Sequence, residues 1–173
     1  MVNSSFVSTL GLKKIPELAT ELGEILSLQH KYVTCVESCT GGGIAYAITD
    51  VAGSSAWFEQ SWVTYSNQAK SSLVGVKPST LEQYGAVSEA VVTEMALGAL
   101  HKADADISIA VSGIAGPAGG TSEKPVGLVW FAIAQSSQID TFSRRFSGSR
   151  SQVREQAVSV GLQKLIASLV THL

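Results

Sequence analysis

Residues 33–50 read VTCVESCTGGGIAYAITD: an apolar, β-prone run ends in Glu-Ser-Cys-Thr, and three glycines lead into a helix-like segment. A strand that stops in small polar residues and turns through glycines into a helix is the opening of an α/β unit. The pattern around it repeats that alternation. Ile15, Leu18, Leu22, Ile25 and Leu26 fall on one face of a helix over 15–30. YVTCV (32–36) is a strand, and the glycine segment that follows is helical. WFEQSWVTYS (57–66) is rich in aromatic and β-branched residues and reads as a strand. Ser66 or Asn67 then caps a short helix through Leu73 with Gly75 as its stop, and Ser88 caps another running to about Lys102.

DISIAVSG (106–113) is a buried-type strand, followed by the loop GIAGPAGGTSEKP (113–125). Residues 126–134 and 139–147 form a hairpin, and a last helix places Val158, Leu162, Leu165 and Leu169 on one face. The order is α-β-α-β-α-α-β-β-β-α. It predicts a single-domain α/β fold over residues 1–173, a three-layer α/β/α sandwich with a mixed sheet.

Composition narrows the function. Charged residues make up only 15% of the 173-residue chain, below the usual quarter, which points to surface hidden in a homodimer or higher homo-oligomer. The formal charge of −2 and the lack of a Lys/Arg cluster argue against nucleic acid as a partner. No apolar run has membrane-spanning length, and the N-terminus lacks the features of a signal peptide, so a cytoplasmic protein without a membrane partner is expected. Cys35 and Cys39 have no neighbouring histidine to complete a zinc set, so no metal is expected.

The three histidines, His30, His101 and His172, each fall near the end of a predicted helix, where solvated histidines are favoured. That weakens Ser-His-Asp and Cys-His schemes. The Walker and dinucleotide glycine patterns are absent, and ESCTGG is not the G-x-S-x-G elbow. The junction nevertheless exposes Ser38 at the carboxyl edge of a sheet, with the N–H groups of Thr40, Gly41 and Gly42 at a helix start. Ser38 or Thr40 could equally be a cap, and Cys39 is a competing nucleophile without a histidine. A serine nucleophile without histidine needs another base, usually a lysine of depressed pKa. Lys70 falls in the first turn of its helix, where the dipole disfavours the ammonium form, and Tyr65 precedes it by five residues.

The motifs ESCTGG, GSSAWF, VTYSNQAK, GAVSE, SGIAGPAGG and EKPVGLVWFA, in this order from about Val33 to Arg154, resemble the CinA C-terminal domain family. The resemblance implies a cofactor-free and metal-free deamidase. Its substrate would be nicotinamide mononucleotide, converted to nicotinate mononucleotide and ammonia in pyridine-nucleotide recycling (NAD salvage). Fused members carry a further molybdopterin-binding-like domain, so the resemblance implies the stand-alone form. It also implies a catalytic set of Ser38, Tyr65 and Lys70. The oxyanion would be held by N–H groups at Thr40, Gly41 and Gly42, joined by the Gly113 to Gly116 loop. Arg150 and Arg154 are candidates for the substrate phosphate, and Glu37 for a ribose hydroxyl or for orienting Lys70. Two positions depart from the family: Ser149 stands where an Asp is common, and Ala118 where a polar residue or glycine is common. A non-catalytic nucleotide-binding or regulatory module using the same pocket is the alternative.

Overall fold

A computed structural model describes residues 13–136 and 138–170; His172 and most of the N-terminal segment considered above lie outside the described residues. The elements are α1 (Ile15–Gln29), β1 (Val33–Glu37), α2 (Gly43–Thr49), β2 (Phe58–Val63), α3 (Asn67–Val74), α4 (Pro78–Tyr84), α5 (Glu89–Ala103), β3 (Ile107–Gly113), β4 (Leu128–Gln135), β5 (Gln138–Arg145) and α6 (Arg150–Val170). The five strands form one mixed sheet in the order β2-β1-β3-β4-β5. β2, β1 and β3 run parallel, and β4 and β5 are added antiparallel.

Alternation along the central strands builds the two outer layers. In β3, Ile107, Ile109 and Val111 join Leu22, Ile44, Leu162 and Leu165 in the core beneath α1, α2 and α6. Ala110 faces the other way, with Ala132 and Ala134 of β4 against Val91, Val92 and Met95 of α5. The small side chains on that face let α5 lie close to the sheet. Ser108, also on it, donates its hydroxyl to the Ala96 carbonyl at 2.7 Å, so the polar group is not orphaned. Gly98 of α5 is equally constrained: a Cβ there would stand 1.7 Å from the Val74 carbonyl oxygen.

The expected order of strands and helices stands, with two additions. A 3-10 turn precedes Trp57 and α4 follows α3. α4 has seven residues, starts on Pro78 and buries only Leu81, too little to give an apolar periodicity. β2 is shorter than the expected 57–66, because Ser66 accepts the Ala69 N–H at 3.0 Å and pulls the chain into α3.

The path of the chain makes a crevice. The connection from β1 enters α2 under one face of the sheet, while the connection from β2 enters α3 on the other. Adjacent parallel strands whose connections diverge leave a gap at their carboxyl ends, where open α/β sheets take ligands.

Candidate active site

Sheet hydrogen bonding runs on past the strand ends and fixes both walls of the crevice. The Ser38 N–H donates to the Val111 carbonyl at 2.9 Å, and the Thr64 N–H donates to the Glu37 carbonyl at 2.8 Å. Ser38 is thereby tied to β3, and the segment leading to α3 is tied to β1. From α3, Lys70 reaches back into the crevice. Its side chain is 1% exposed, its Nζ donates to the Thr64 carbonyl at 2.8 Å, and the same nitrogen lies 3.1 Å from Ser38 Oγ. Burial pushes the Lys70 amine below its ordinary value of 10.5, and the neighbouring Cys39, which would raise it as a thiolate, is the smaller influence. No carboxylate pairs with it among the described ion pairs. Lys70 therefore has the environment of a neutral amine held against a serine hydroxyl.

Ser38 and Lys70 open into a cavity of about 230 Å³ that is also lined by Tyr65, Asn67, Ser112 and Arg150. No acidic side chain lines it, so the Arg150 guanidinium gives it a field that favours an anionic ligand. Tyr65 sits on the rim at 60% exposure, beyond the end of β2 rather than within it. Its hydroxyl oxygen accepts from Arg150 Nη2 at 2.7 Å, and Arg150 Nη1 donates to the Gly116 carbonyl at 2.9 Å. Arg150 thus bridges the two lips of the cleft. No described hydrogen bond joins Tyr65 to Ser38 or Lys70.

The turn after Ser38 differs from the expectation drawn from its glycines. The helix start is already occupied by Glu37, which is 1% exposed. Its carboxylate accepts the N–H groups of Gly42 and Ile44, each at 3.1 Å, and of Ala45 at 2.9 Å. Glu37 therefore faces neither a ribose nor Lys70; it satisfies the orphan donors of α2. Gly41 gives its N–H to the Ser38 carbonyl at 3.0 Å. The N–H groups of Gly41 and Gly42 are consequently spent within the protein, and neither the Ser38 nor the Thr40 side chain caps α2. The N–H groups of Cys39 and Thr40 reach no oxygen acceptor among the described residues, and they are the donors this turn leaves for a ligand. A strand-end glutamate shortly before a glycine turn into a helix was the available signal for Glu37's role.

The remaining candidates divide. Gly113 lines the cleft; Gly116 does not, and contributes its carbonyl to Arg150 instead. Arg154 is absent from the cleft lining. Its Nε donates to the Cys39 carbonyl at 3.1 Å and its Nη2 to the Thr40 carbonyl at 2.9 Å, so it clamps the turn rather than offering a fork to a phosphate. Ser112 and Asn67 line the cleft, although the sequence reading offered Asn67 only as a helix cap and did not single out Ser112. Burial pushes the Cys39 thiol up to about 12, which leaves almost no thiolate at neutral pH. Ser149 keeps a capping role at the start of α6: its N–H donates to Gln152 Oε1 at 2.8 Å, and its hydroxyl accepts the Gln152 N–H at 3.4 Å. His30 takes the left-handed position that closes α1, and His101 lies in the last turn of α5.

Comparison with known proteins places this chain in a family. The model of the CinA C-terminal domain matches residues 15–169. The chain is 57% identical to a protein of Enterobacter agglomerans named nicotinamide-nucleotide amidohydrolase PncC, over 92% of this chain and 98% of that one. It is 53% identical to the Escherichia coli K12 protein of the same name, over 88% and 93%. The crystal structure of a competence-damaged protein (CinA) superfamily member from Klebsiella pneumoniae superposes with a TM-score of 0.89 at 40% identity, covering 92% of this chain and 99% of that one.

Proposed function

The chain belongs to the CinA C-terminal domain family, and from that premise we propose that it hydrolyses the carboxamide of nicotinamide mononucleotide to nicotinate mononucleotide and ammonia. The observation that carries the reading is the contact between Ser38 Oγ and a buried, carboxylate-free Lys70 amine in the cleft at the carboxyl ends of β1 and β2. The names of the amidohydrolase relatives supply the substrate.

The steps follow from the positions of the groups. Neutral Lys70 takes the Ser38 proton as Oγ bonds to the amide carbon. The carbonyl oxygen becomes an oxyanion facing the N–H groups of Cys39 and Thr40. The tetrahedral centre collapses, the C–N bond breaks, and the Lys70 ammonium returns its proton to the departing nitrogen, which leaves as ammonia. The nicotinoyl group is then an ester on Ser38. Lys70 next deprotonates a water that attacks the ester, Ser38 leaves with that proton, and the acid product gives its remaining proton to solvent as the carboxylate. Tyr65, whose oxygen is already occupied by Arg150 as donor, keeps its own O–H to offer to the substrate. Arg150 gives the cleft mouth its positive charge and meets the phosphate.

A cavity of about 230 Å³ lies below the ~300–1,000 Å³ usual for small-ligand sites. It suits a pyridine ring and its amide, with ribose and phosphate projecting towards Arg150. The test is ammonia release by the purified protein from nicotinamide mononucleotide, the riboside and free nicotinamide. The reading expects turnover of the mononucleotide and much weaker turnover of the two compounds without phosphate. No ammonia from any of the three would overturn it.

A further inference from the structure

Resting on the amidase reading, we infer that Arg154 is a positioning residue that sets the oxyanion donors of the Ser38 turn, and that it does not bind substrate. A peptide unit carries its C=O and N–H on opposite sides. Each carbonyl of the turn is held from inside the protein. The Ser38 carbonyl accepts from Gly41 N–H at 3.0 Å, and the carbonyls of Cys39 and Thr40 accept from Arg154 at 3.1 and 2.9 Å. With these oxygens fixed, the N–H groups of Cys39 and Thr40 are turned to the other side. Both N–H groups meet the sulfur of Cys39, a cleft-lining residue and a poor acceptor that an oxyanion readily replaces.

The planar guanidinium matters here. Two donors of one rigid fork span consecutive carbonyls, which a single ammonium cannot reproduce. Gly41 takes φ +60, which favours glycine, and a Cβ there would lie against Arg154 Nη2 at 3.4 Å. The positive charge behind the Cys39 carbonyl also strengthens the dipole of the peptide whose N–H, that of Thr40, faces the developing oxyanion, while the peptide of the Thr40 carbonyl ends in the Gly41 N–H that holds the Ser38 carbonyl.

The far side of Arg154 borders a separate cavity of about 390 Å³, lined by Ile15, Pro16, Tyr46, Ala47 and Val158 among others. Removing the side chain therefore leaves a space that joins an existing opening, large enough to admit a free guanidinium ion.

The experiment compares wild type, Arg154→Ala and Arg154→Lys, with thermal unfolding to confirm that each is folded. Two readouts are taken: kcat and KM for ammonia release from nicotinamide mononucleotide, and the rate at which a fluorophosphonate probe labels Ser38. Both variants are expected to lose about tenfold to hundredfold in kcat, less than the ~10²–10³-fold of losing a donor outright. KM should stay close to the wild-type value. Millimolar guanidinium should restore part of the rate to Arg154→Ala but not to Arg154→Lys. A raised KM at unchanged kcat would make Arg154 a substrate ligand and overturn the proposal. So would unchanged kcat and labelling, or a loss that guanidinium fails to restore in a folded Arg154→Ala protein. Should Arg154→Ala not fold, Arg154→Lys decides through its kcat and KM. The labelling rate keeps the tests apart: if wild type releases no ammonia, the amidase reading fails, while slowed labelling of the variants still upholds the role of Arg154.

Discussion

Lys70 Nζ lies 3.1 Å from Ser38 Oγ, with its remaining described hydrogen bond made to a backbone carbonyl and none to a carboxylate. A buried ammonium would normally be paired. An unpaired one next to a hydroxyl is poised to shed its proton and act as a base. Replacing Lys70 by methionine keeps the length and apolar stem and removes only that function. Ammonia release should fall by about 10²–10⁴-fold, the usual contribution of a general base, while the protein still unfolds cooperatively.

The same lysine makes stability depend on pH. Its folded pKa is lowered below 10.5 by burial, so between the two values the folded state holds fewer protons than the unfolded chain. Burying the charge costs most below the folded pKa, and the cost disappears as pH rises from there to 10.5. Wild-type stability should therefore gain a rising component across that window. Urea unfolding of Lys70→Met over the same pH series should lack it. The catalytic rate should climb through the folded pKa, on the low side of an ordinary lysine.

Cys39 follows Ser38 directly, yet burial raises its thiol to about 12. Cys39→Ala keeps the backbone N–H and removes only the sulfur, so it should retain most of the deamidase activity. Loss comparable to that of Ser38→Ala would contradict the assignment.

Glu37 accepts three N–H groups at the start of α2 from a fully buried position. Glu37→Ala leaves those donors without an acceptor, at roughly 1–3 kcal/mol for each buried group left unsatisfied. Only the Ile44 N–H is fully buried, those of Gly42 and Ala45 being partly buried, so denaturant unfolding should show a loss of about 1–3 kcal/mol. A change within experimental error would mean the helix start is satisfied otherwise.

The sequence carried the layer order because alternation in β3 and the apolar faces of α1 and α6 are strong local signals. It carried the pairing of Ser38 with Lys70 because both stand at element ends, where the chemistry of caps and dipoles is readable. The use of the turn's own N–H groups was less legible. The three glycines suggested an open anion site, but only the fold shows that Glu37 bends back to take Gly42, Ile44 and Ala45. Arg154 was equally hidden: its partners lie 115 and 114 residues earlier, and its position near a helix start reads as solvated until α6 is packed against the turn.

The central claim is that Ser38 is the nucleophile, and the most direct measurement is ammonia release from nicotinamide mononucleotide by Ser38→Ala beside wild type. The account predicts that the variant, folded and with the wild-type melting profile, releases ammonia at no more than about one thousandth of the wild-type rate, the ~10³-fold scale on which loss of an essential catalytic group registers. A Ser38→Ala protein that retained the wild-type rate would contradict it.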